Sequence, residues 1–482
     1  MSDAAKLLHT ISQAQSALQT GELTARQLVE AHLSRLHAVD DAIKVVLTPL
    51  DERALAQADA IDADRSAGRE LGVLAGIPYT AKDMFLLAGT RTTAASQILK
   101  DFVAPYTGTA IAKLEAAGAI CIAKVNQDEF AHGGSTEYSS FGPSKNPYGT
   151  DRVPGGSSGG SAAALAAGIG LFSVGTDTGG SIRQPAAFCG VVGLKPTYGV
   201  VSRYGVISMA SSLDVIGPFA NTVEDAQTVL YVMAGQDSND ATTIALPEQS
   251  TADSKPPRAA YIKEYMEGLH PDVAAAYTSA YEKLTQAGWD IKTVSLEHVG
   301  LALPAYYVLT PAEISSNLER YDGVRYGSTS DAATDLNTTY TKTRGEFFGP
   351  EVQRRILTGT YVLSAGYYDA YYKKAMQVRT LIKQDFEATF ADYDILLGPT
   401  TPTAAFKFGE HSQAPVAMYL ADIMTVAANL AGIPAISIPL AGPSGLPLGL
   451  QLMAKQTNEA GLFGAATAAE TALQTELGAI QV

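Results

Sequence analysis

The sequence predicts an α/β protein, and three observations carry that prediction. Segments with apolar residues at helical spacing alternate with short apolar runs of strand length. Apolar residues make up 46% of the 482-residue chain and charged residues 17%, which suits a large packed core and not a disordered polymer. Two loops rich in glycine and serine flank a helix–strand unit near the middle. Length alone suggests roughly two to four domains, a rule that large α/β enzymes break. The expected organisation is a single domain: N-terminal helices over 1–70, a core over 71–235, and the rest of the core with a smaller lobe over 258–482.

The elements follow in order. Residues 3–18 and 24–38 predict helices; Thr24 is a plausible N-cap before Leu28, Val29, Leu33 and Leu36. Asp51 to Ala67 is Ala-rich with charges on one face and predicts a third helix. Gly76 to Lys82 predicts a strand, Thr107 to Ala117 a helix stopped by Gly118, and Ala119 to Val125 a strand. Asn126 to Tyr148 is a polar loop. Ser161 to Gly168 predicts a helix, Ile169 to Gly175 a buried strand, and Thr222 to Ala234 another helix. The polar stretch Gln236 to Pro257 is the best candidate boundary. Beyond it come a strand at Arg258 to Ile262, a helix at His270 to Ala287 and a strand at Trp289 to Leu296. Further strands are expected at Asp394 to Leu397, Ile433 to Leu440 and Leu448 to Met453, with a closing helix at Asn458 to Leu473.

The chemistry centres on Val153 to Cys189. Its first loop is Gly155-Gly156-Ser157-Ser158-Gly159-Gly160 and its second Thr178-Gly179-Gly180-Ser181. Glycine lets backbone approach backbone or ligand closely. A serine hydroxyl needs a neighbour to take its proton, and lysine is one such neighbour. Lys82 ends an apolar, strand-like run that carries it inward, where desolvation lowers its pKa. Taken singly, each residue has an ordinary explanation: a Gly/Ser turn, a surface lysine.

The Lys82 segment (GIPYTAKDMF), GGSSGGS at 155–161 and GTDTGGSIRQPAAFCG at 175–190 together resemble the amidase signature family, in the family's order and over most of the chain. The resemblance implies a central mixed β-sheet covered by helices on both faces. It also implies a Ser–cis-Ser–Lys triad, with Ser181 as nucleophile, Ser157 as the bridging serine after a cis peptide bond, and Lys82 as the ultimate base. Backbone N–H groups of Thr178, Gly179 and Gly180, on to Ser181, would form the oxyanion hole. Asn126 to Tyr148 is similar to the family's NMDEFAMG-type segment, from which Gln127, His132 and Tyr138 depart. His132 is expected to be a loop histidine without catalytic duty.

Leu303 to Tyr326, Arg354 to Tyr372 and Met418 to Leu430 resemble the family's glutamine-dependent, tRNA-linked amidotransferase branch. That resemblance implies Asp422 holding the α-ammonium of glutamine and Arg355 clamping its α-carboxylate through a bidentate fork. Arg354 next door leaves the register between the two arginines open, and Tyr306 or Tyr307 is expected to line the same pocket. The branch further implies a heterotrimer with B and C subunits as partners. The B partner would use ATP and Mg to convert Glu-tRNA(Gln) to Gln-tRNA(Gln) with ammonia made by this chain, and would carry most contacts to the tRNA.

Several classes are disfavoured. A net charge of −15 repels phosphate backbones. Neither a G-x-x-x-x-G-K-[ST] loop nor a His/Cys metal cluster stands in the sequence, so no cofactor is expected in this chain. Cys121 and Cys189 are expected to be buried free thiols. Short basic clusters, Arg354-Arg355 and Lys373-Lys374, are expected on solvated helix faces, and the tyrosines at 361, 367, 368, 371 and 372 in a core or a subunit interface. No signal peptide is recognised, and the uncharged stretches Val153 to Thr176 and Ile423 to Ala454 carry too much glycine, serine or proline for a membrane span, so a cytoplasmic location is expected. Two alternatives stand beside the leading reading. One is a stand-alone amidase of small amides. The other is an α/β-hydrolase esterase, because Gly155-x-Ser157-x-Gly159 matches G-x-S-x-G, although Asp151 to Pro154 is a poor strand to precede that elbow.

Overall fold

The structure, a computed structural model, describes residues 8–247, 256–411, 415–442 and 445–482. Among these residues eleven strands form one sheet: β1 (Val46–Pro49), β2 (Pro78–Lys82), β3 (Ile120–Val125), β4 (Phe172–Asp177), β5 (Val192–Lys195), β6 (Val215–Ala220), β7 (Arg258–Ile262), β8 (Asp290–Val294), β9 (Ile395–Pro399), β10 (Ala435–Ala441) and β11 (Pro447–Ala454). Their order is β1-β3-β2-β4-β6-β5-β10-β11-β9-β7-β8. The sheet is mixed. β2 runs parallel to both β3 and β4, and β7 parallel to β8 and β9, while β4–β6 and β10–β11 are antiparallel.

Successive residues of a strand point to opposite faces, and the core follows that rule. Ile395 and Leu397 enter one buried apolar cluster, with Leu28, Leu171 and Leu462. Leu396 enters a second, with Tyr306, Leu309, Phe386 and Leu430. Helices therefore pack on both faces, as expected.

Element ends moved for local reasons. The predicted helix 3–18 is observed as Ile11–Thr20, capped by Thr10; residues 3–7 of that prediction lie outside the described residues, as do 248–255 of the predicted boundary. The strand expected at Ile169 to Gly175 starts later, as β4, because Gly168 and Gly170 adopt positive φ and turn the chain. Strands β1, β5 and β6 and the helices Arg183–Cys189, Ala302–Asn317 and Leu336–Phe347 were not predicted, and the helices Pro350–Leu363 and Lys373–Asp392 were anticipated only through their basic pairs. In β6 the Gly217-Pro218 pair imitates a turn.

Two surface expectations change. Arg355 is buried on the helix Pro350–Leu363, although Arg354 is half exposed. The tyrosine cluster does not pack a core: Tyr361, Tyr367, Tyr368 and Tyr371 are exposed, with Tyr367 stacked on Tyr371, Tyr361 tilted against both, and Tyr368 stacked on Tyr372. Cys121 and Cys189 are free and buried. Among the described residues no helix is long and apolar enough to cross a membrane.

The helix Pro350–Leu363 crosses the helix Ala302–Asn317 so closely at Gly359 that a Cβ there would overlap the carbonyl oxygen of Pro311. Helix propensity alone favours alanine over glycine, but here overpacking decides the sign. Gly359→Ala should destabilise the protein by about 1–3 kcal/mol. Chemical denaturation measures this, and a stabilised variant would contradict the packing argument.

Candidate active site

β2 and β4 are parallel neighbours, with Ala81 opposite Val174, so their carboxyl ends open at one place. Lys82 is the last residue of β2, and Thr176 and Asp177 close β4. The fully buried Lys82 Nζ lies 2.7 Å from Ser157 Oγ, 2.9 Å from Ser158 Oγ and 2.9 Å from Thr176 Oγ1. An ammonium donates to all three hydroxyls. A neutral amine has only two N–H bonds and offers a lone pair, so one hydroxyl must then turn and donate to it. Burial draws this lysine down to about 7, against the pull of Asp128, Asp214 and Asp177. Both forms are therefore accessible near neutrality.

Ser157 follows a cis peptide bond from Gly156. Its loop is held by the Gly156 N–H donating to Gln184 Oε1 at 2.9 Å, and by the Asp128 N–H donating to Ser157 O at 3.1 Å. Asp128 in turn accepts from the N–H groups of Ser135, Thr136 and Tyr138 at 3.3, 3.0 and 3.2 Å. Any Cβ on Gly156 would overlap the Asp128 carboxylate.

Ser181 reaches the same place through backbone: the Ser158 N–H donates to Ser181 O at 3.3 Å. Its hydroxyl has no hydrogen bond to Ser157 Oγ among the described residues. The preceding loop is heavily braced. Thr178 Oγ1 donates to Asp214 Oδ1 at 2.8 Å, and Thr425 Oγ1 donates to Gly179 O at 2.6 Å. Asp177 and Arg183 form a fully buried ion pair at 2.9 Å, to which Asn429 and Gln451 add hydrogen bonds. Burial would push the Asp177 carboxyl up, but the Arg183 charge and hydrogen bonds hold it down at about 2. Despite this bracing, the N–H groups of Gly179, Gly180 and Ser181 have no acceptor among the described residues. Unpaired N–H groups inside a protein are rare, and those of the buried Gly179 and Gly180, followed by that of the half-buried Ser181 itself, form a ready seat for an oxyanion.

The expected substrate residues gather at the edge of this centre. The Tyr306 ring packs onto Gly179, where a Cβ would lie 2.6 Å from its hydroxyl. Tyr307 stacks on Tyr419 at 4.0 Å between ring centroids, and the Arg355 guanidinium lies 5.3 Å and 5.5 Å from those two rings. Arg355 Nε donates to Glu351 Oε1 at 2.8 Å, and the Tyr419 hydroxyl donates to the same oxygen at 3.1 Å. The two terminal nitrogens of Arg355 have no hydrogen-bond partner among the described residues, so its fork is free. Arg354 turns to the other oxygen of Glu351. Of the two arginines, Arg355 is the one inside. Asp422 borders Gly134, with no hydrogen bond to its carboxylate among the described residues. Burial pushes its carboxyl up to about 8, although Arg355 pulls it down.

His132 is buried, its Nδ1 on Glu129 O at 3.1 Å. Burial, then the Arg355 charge, lower it to about 3, which keeps it neutral and without a base's role near pH 7. No strand leads directly into the Gly155–Gly159 loop among the described residues, the last one before it ending at Val125, so the hydrolase-elbow alternative fails. No group of three or more metal-ligating side chains is poised to hold an ion among the described residues. Sequence reasoning missed Ser158, Thr176, Asp128, Asp214, Glu351, Tyr419 and Thr425. Ser158 stands in the same loop as Ser157, Thr176 in the segment 175–190, Asp128 in 126–148, and Tyr419 and Thr425 in 418–430, all segments that carried the resemblance, while Asp214 and Glu351 lie outside them.

The family model named Amidase matches residues 27–463. The chain belongs to the amidase family. Within it, the sequence is 53% identical to the glutamyl-tRNA(Gln) amidotransferase A subunit of Koribacter versatilis over 471 residues, covering 96% of this chain and 98% of that one. It is 50% identical to the corresponding A subunit of Heliobacterium modesticaldum, covering 94% of each. Among solved structures, the glutamyl-tRNA(Gln) amidotransferase A subunit of Thermotoga maritima superposes with a TM-score of 0.80 at 37% identity, covering 100% of this chain and 99% of that one. The peptide amidase of Stenotrophomonas maltophilia gives 0.81 at 29% identity, covering 98% and 99%.

Removing one partner of the Asp177–Arg183 pair strands a buried charge. Asp177→Ala should cost about 3–5 kcal/mol of stability, measured by urea unfolding at pH 7; a loss under about 1 kcal/mol would show the pair to be dispensable.

Proposed function

We propose that this chain is the glutaminase subunit of a tRNA-dependent amidotransferase. One juxtaposition carries the reading: a Lys82–Ser157 contact able to move a proton lies near two groups of opposite charge with unused hydrogen-bonding capacity, the terminal nitrogens of Arg355, whose Nε is held by Glu351, and the carboxylate of Asp422. A free amino acid carries the complementary pair. The Arg355 fork takes the α-carboxylate and Asp422 takes the α-ammonium, leaving the side-chain amide to face Ser181.

The reaction then follows from proton bookkeeping. Ser181 Oγ attacks the amide carbon as its proton passes to Ser157 Oγ, whose own proton moves to neutral Lys82 Nζ. The carbonyl π pair moves to oxygen, and the resulting oxyanion faces the amides of the Thr178, Gly179, Gly180 and Ser181 turn. When the intermediate collapses, the C–N bond breaks and the nitrogen leaves as ammonia with a proton returned along the same relay. Water adds to the acyl-enzyme by the same steps and releases glutamate.

The assembly rests on the name its relatives carry. In the heterotrimer the B subunit uses ATP and Mg to activate Glu-tRNA(Gln) and amidates it with the ammonia, and a small C subunit completes the complex in the cytoplasm. Sequence and site hold no phosphate loop of their own, which suits this division of labour. The reading as a stand-alone amidase gives Arg355 and Asp422 nothing to hold.

Ammonia release from glutamine tests this, by the chain alone and then with candidate B and C subunits, ATP and Glu-tRNA(Gln). Ser181→Ala and Lys82→Ala should each lose at least about 10³-fold. Arg355→Lys, which cannot form the fork, should raise KM for glutamine by about 10–100-fold, corresponding to a charged hydrogen bond of about 1.5–3 kcal/mol. Robust hydrolysis of simple amides without response to glutamine would favour the stand-alone amidase.

The pH dependence has a defined sign. Lys82 acts as the neutral amine, so kcat should rise as pH increases through about 7. Asp422 binds as the carboxylate, so KM for glutamine should fall as pH approaches 8, and Asp422→Asn should remove that second dependence. A KM independent of pH between 6 and 8.5 would contradict the assignment of Asp422.

A further inference from the structure

We propose that Thr425 is a positioning residue that locks the Gly179–Gly180 peptide so that its N–H faces the reacting carbonyl; this rests on the Ser181 reading above. Two adjacent glycines make this peptide the most easily reoriented unit of the loop. Gly180 has φ +141°, and any Cβ there would overlap Thr425 Oγ1, so no side chain at 180 can hold the turn. The lock must come from outside. The fully buried Thr425 donates its hydroxyl to Gly179 O at 2.6 Å, with Asp422 O as a more distant acceptor at 3.0 Å. The peptide is planar and trans, so fixing the direction of Gly179 O fixes the Gly180 N–H on the opposite side. That N–H is one of the three orphan donors beside Ser181.

Thr425 is itself held. Its carbonyl accepts from Arg183 Nη1 at 3.1 Å, and Arg183 is paired with Asp177 at the root of the same loop. It also stands three residues after Asp422. One turn of chain thus joins the residue proposed to hold the substrate's ammonium to the peptide proposed to hold its oxyanion.

The test uses the full chain with its partner subunits. Thr425→Val keeps the shape and removes the hydroxyl, and Thr425→Ser keeps the hydroxyl. Thr425→Val should lower kcat for glutamine by about 10–100-fold and change KM less than about 3-fold. Thr425→Ser should restore kcat to within about 3-fold of the parent. A purely structural role would not discriminate between ground-state and tetrahedral ligands. The boronic acid analogue 2-amino-4-boronobutanoic acid, which forms a tetrahedral adduct on Ser181, should lose affinity by the same factor as kcat/KM, while glutamate should bind unchanged. If Thr425→Val does not fold, Thr425→Ala carries the same expectations.

Sulfonylation of Ser181 by phenylmethylsulfonyl fluoride, followed by mass spectrometry, needs no assumption about glutamine. It should slow in Thr425→Val and not in Thr425→Ser. Slowed sulfonylation without any glutamine hydrolysis by the parent would sink the glutaminase reading and keep the lock. Sulfonylation and kcat both within about 3-fold of the parent in Thr425→Val would overturn the lock itself.

Discussion

A lysine amine sealed inside the protein with only hydroxyls for neighbours is the constraint around which this fold is arranged. The carboxylates that influence Lys82 act through space, since none lies within ion-pair distance among the described residues. A direct carboxylate partner would hold the ammonium charged and remove its capacity to take a proton. The surroundings instead supply Ser157, Ser158 and Thr176, groups that accept from an ammonium and donate to an amine. Such a site must be dry and rigid. β2 and β4 provide the rigidity, because they lie in the interior of an eleven-stranded sheet with core on both faces.

The acidic residues that could have paired with Lys82 are occupied elsewhere. Asp177 is committed to Arg183, Asp214 to the backbone at 209–210 and to Thr178, and Asp128 to the loop 135–138. Each commitment also shapes one wall of the centre. The same carboxylates that stay out of ion-pair range thus hold the two serine loops in place. This is why residues without a chemical step of their own occupy so much of the buried polar inventory.

Periodicity made several long helices legible, because an amphipathic face is written directly in the residues: Leu28, Val29, Leu33 and Leu36 all proved buried on one helix. Fully buried strands with glycine or proline were not legible; Val215–Ala220 carries no alternation, since both faces are covered. At the centre, Lys82, Ser157 and Ser181 were readable only as an ordered set of loops. Their supports were not, since Thr425 reaches Gly179 across 246 residues and nothing local to Thr425 marks it as a partner of that loop. The error on Arg355 has the same origin. A charged pair on a helix ordinarily faces water, and only the tertiary placement of Glu351, Tyr307 and Tyr419 draws Arg355 inside.

The sheet separates bond-breaking from recognition along the chain. Every group proposed to move a proton or stabilise charge at the reacting carbon lies between residues 82 and 181, on β2, β4 and the turns beside them. Every group proposed to identify the substrate lies between 306 and 422, on helices and turns, with Tyr306 packed against the Gly179 turn. The two groups touch at Tyr306 on Gly179 and at the Asp422–Thr425 turn, and side chains of the second group away from those contacts can be exchanged while the first is kept. One architecture can therefore keep a single hydrolytic chemistry while changing its clientele. A peptide amidase and a tRNA-linked amidotransferase subunit share this backbone at near-equal TM-scores, which is the outcome such a partition permits.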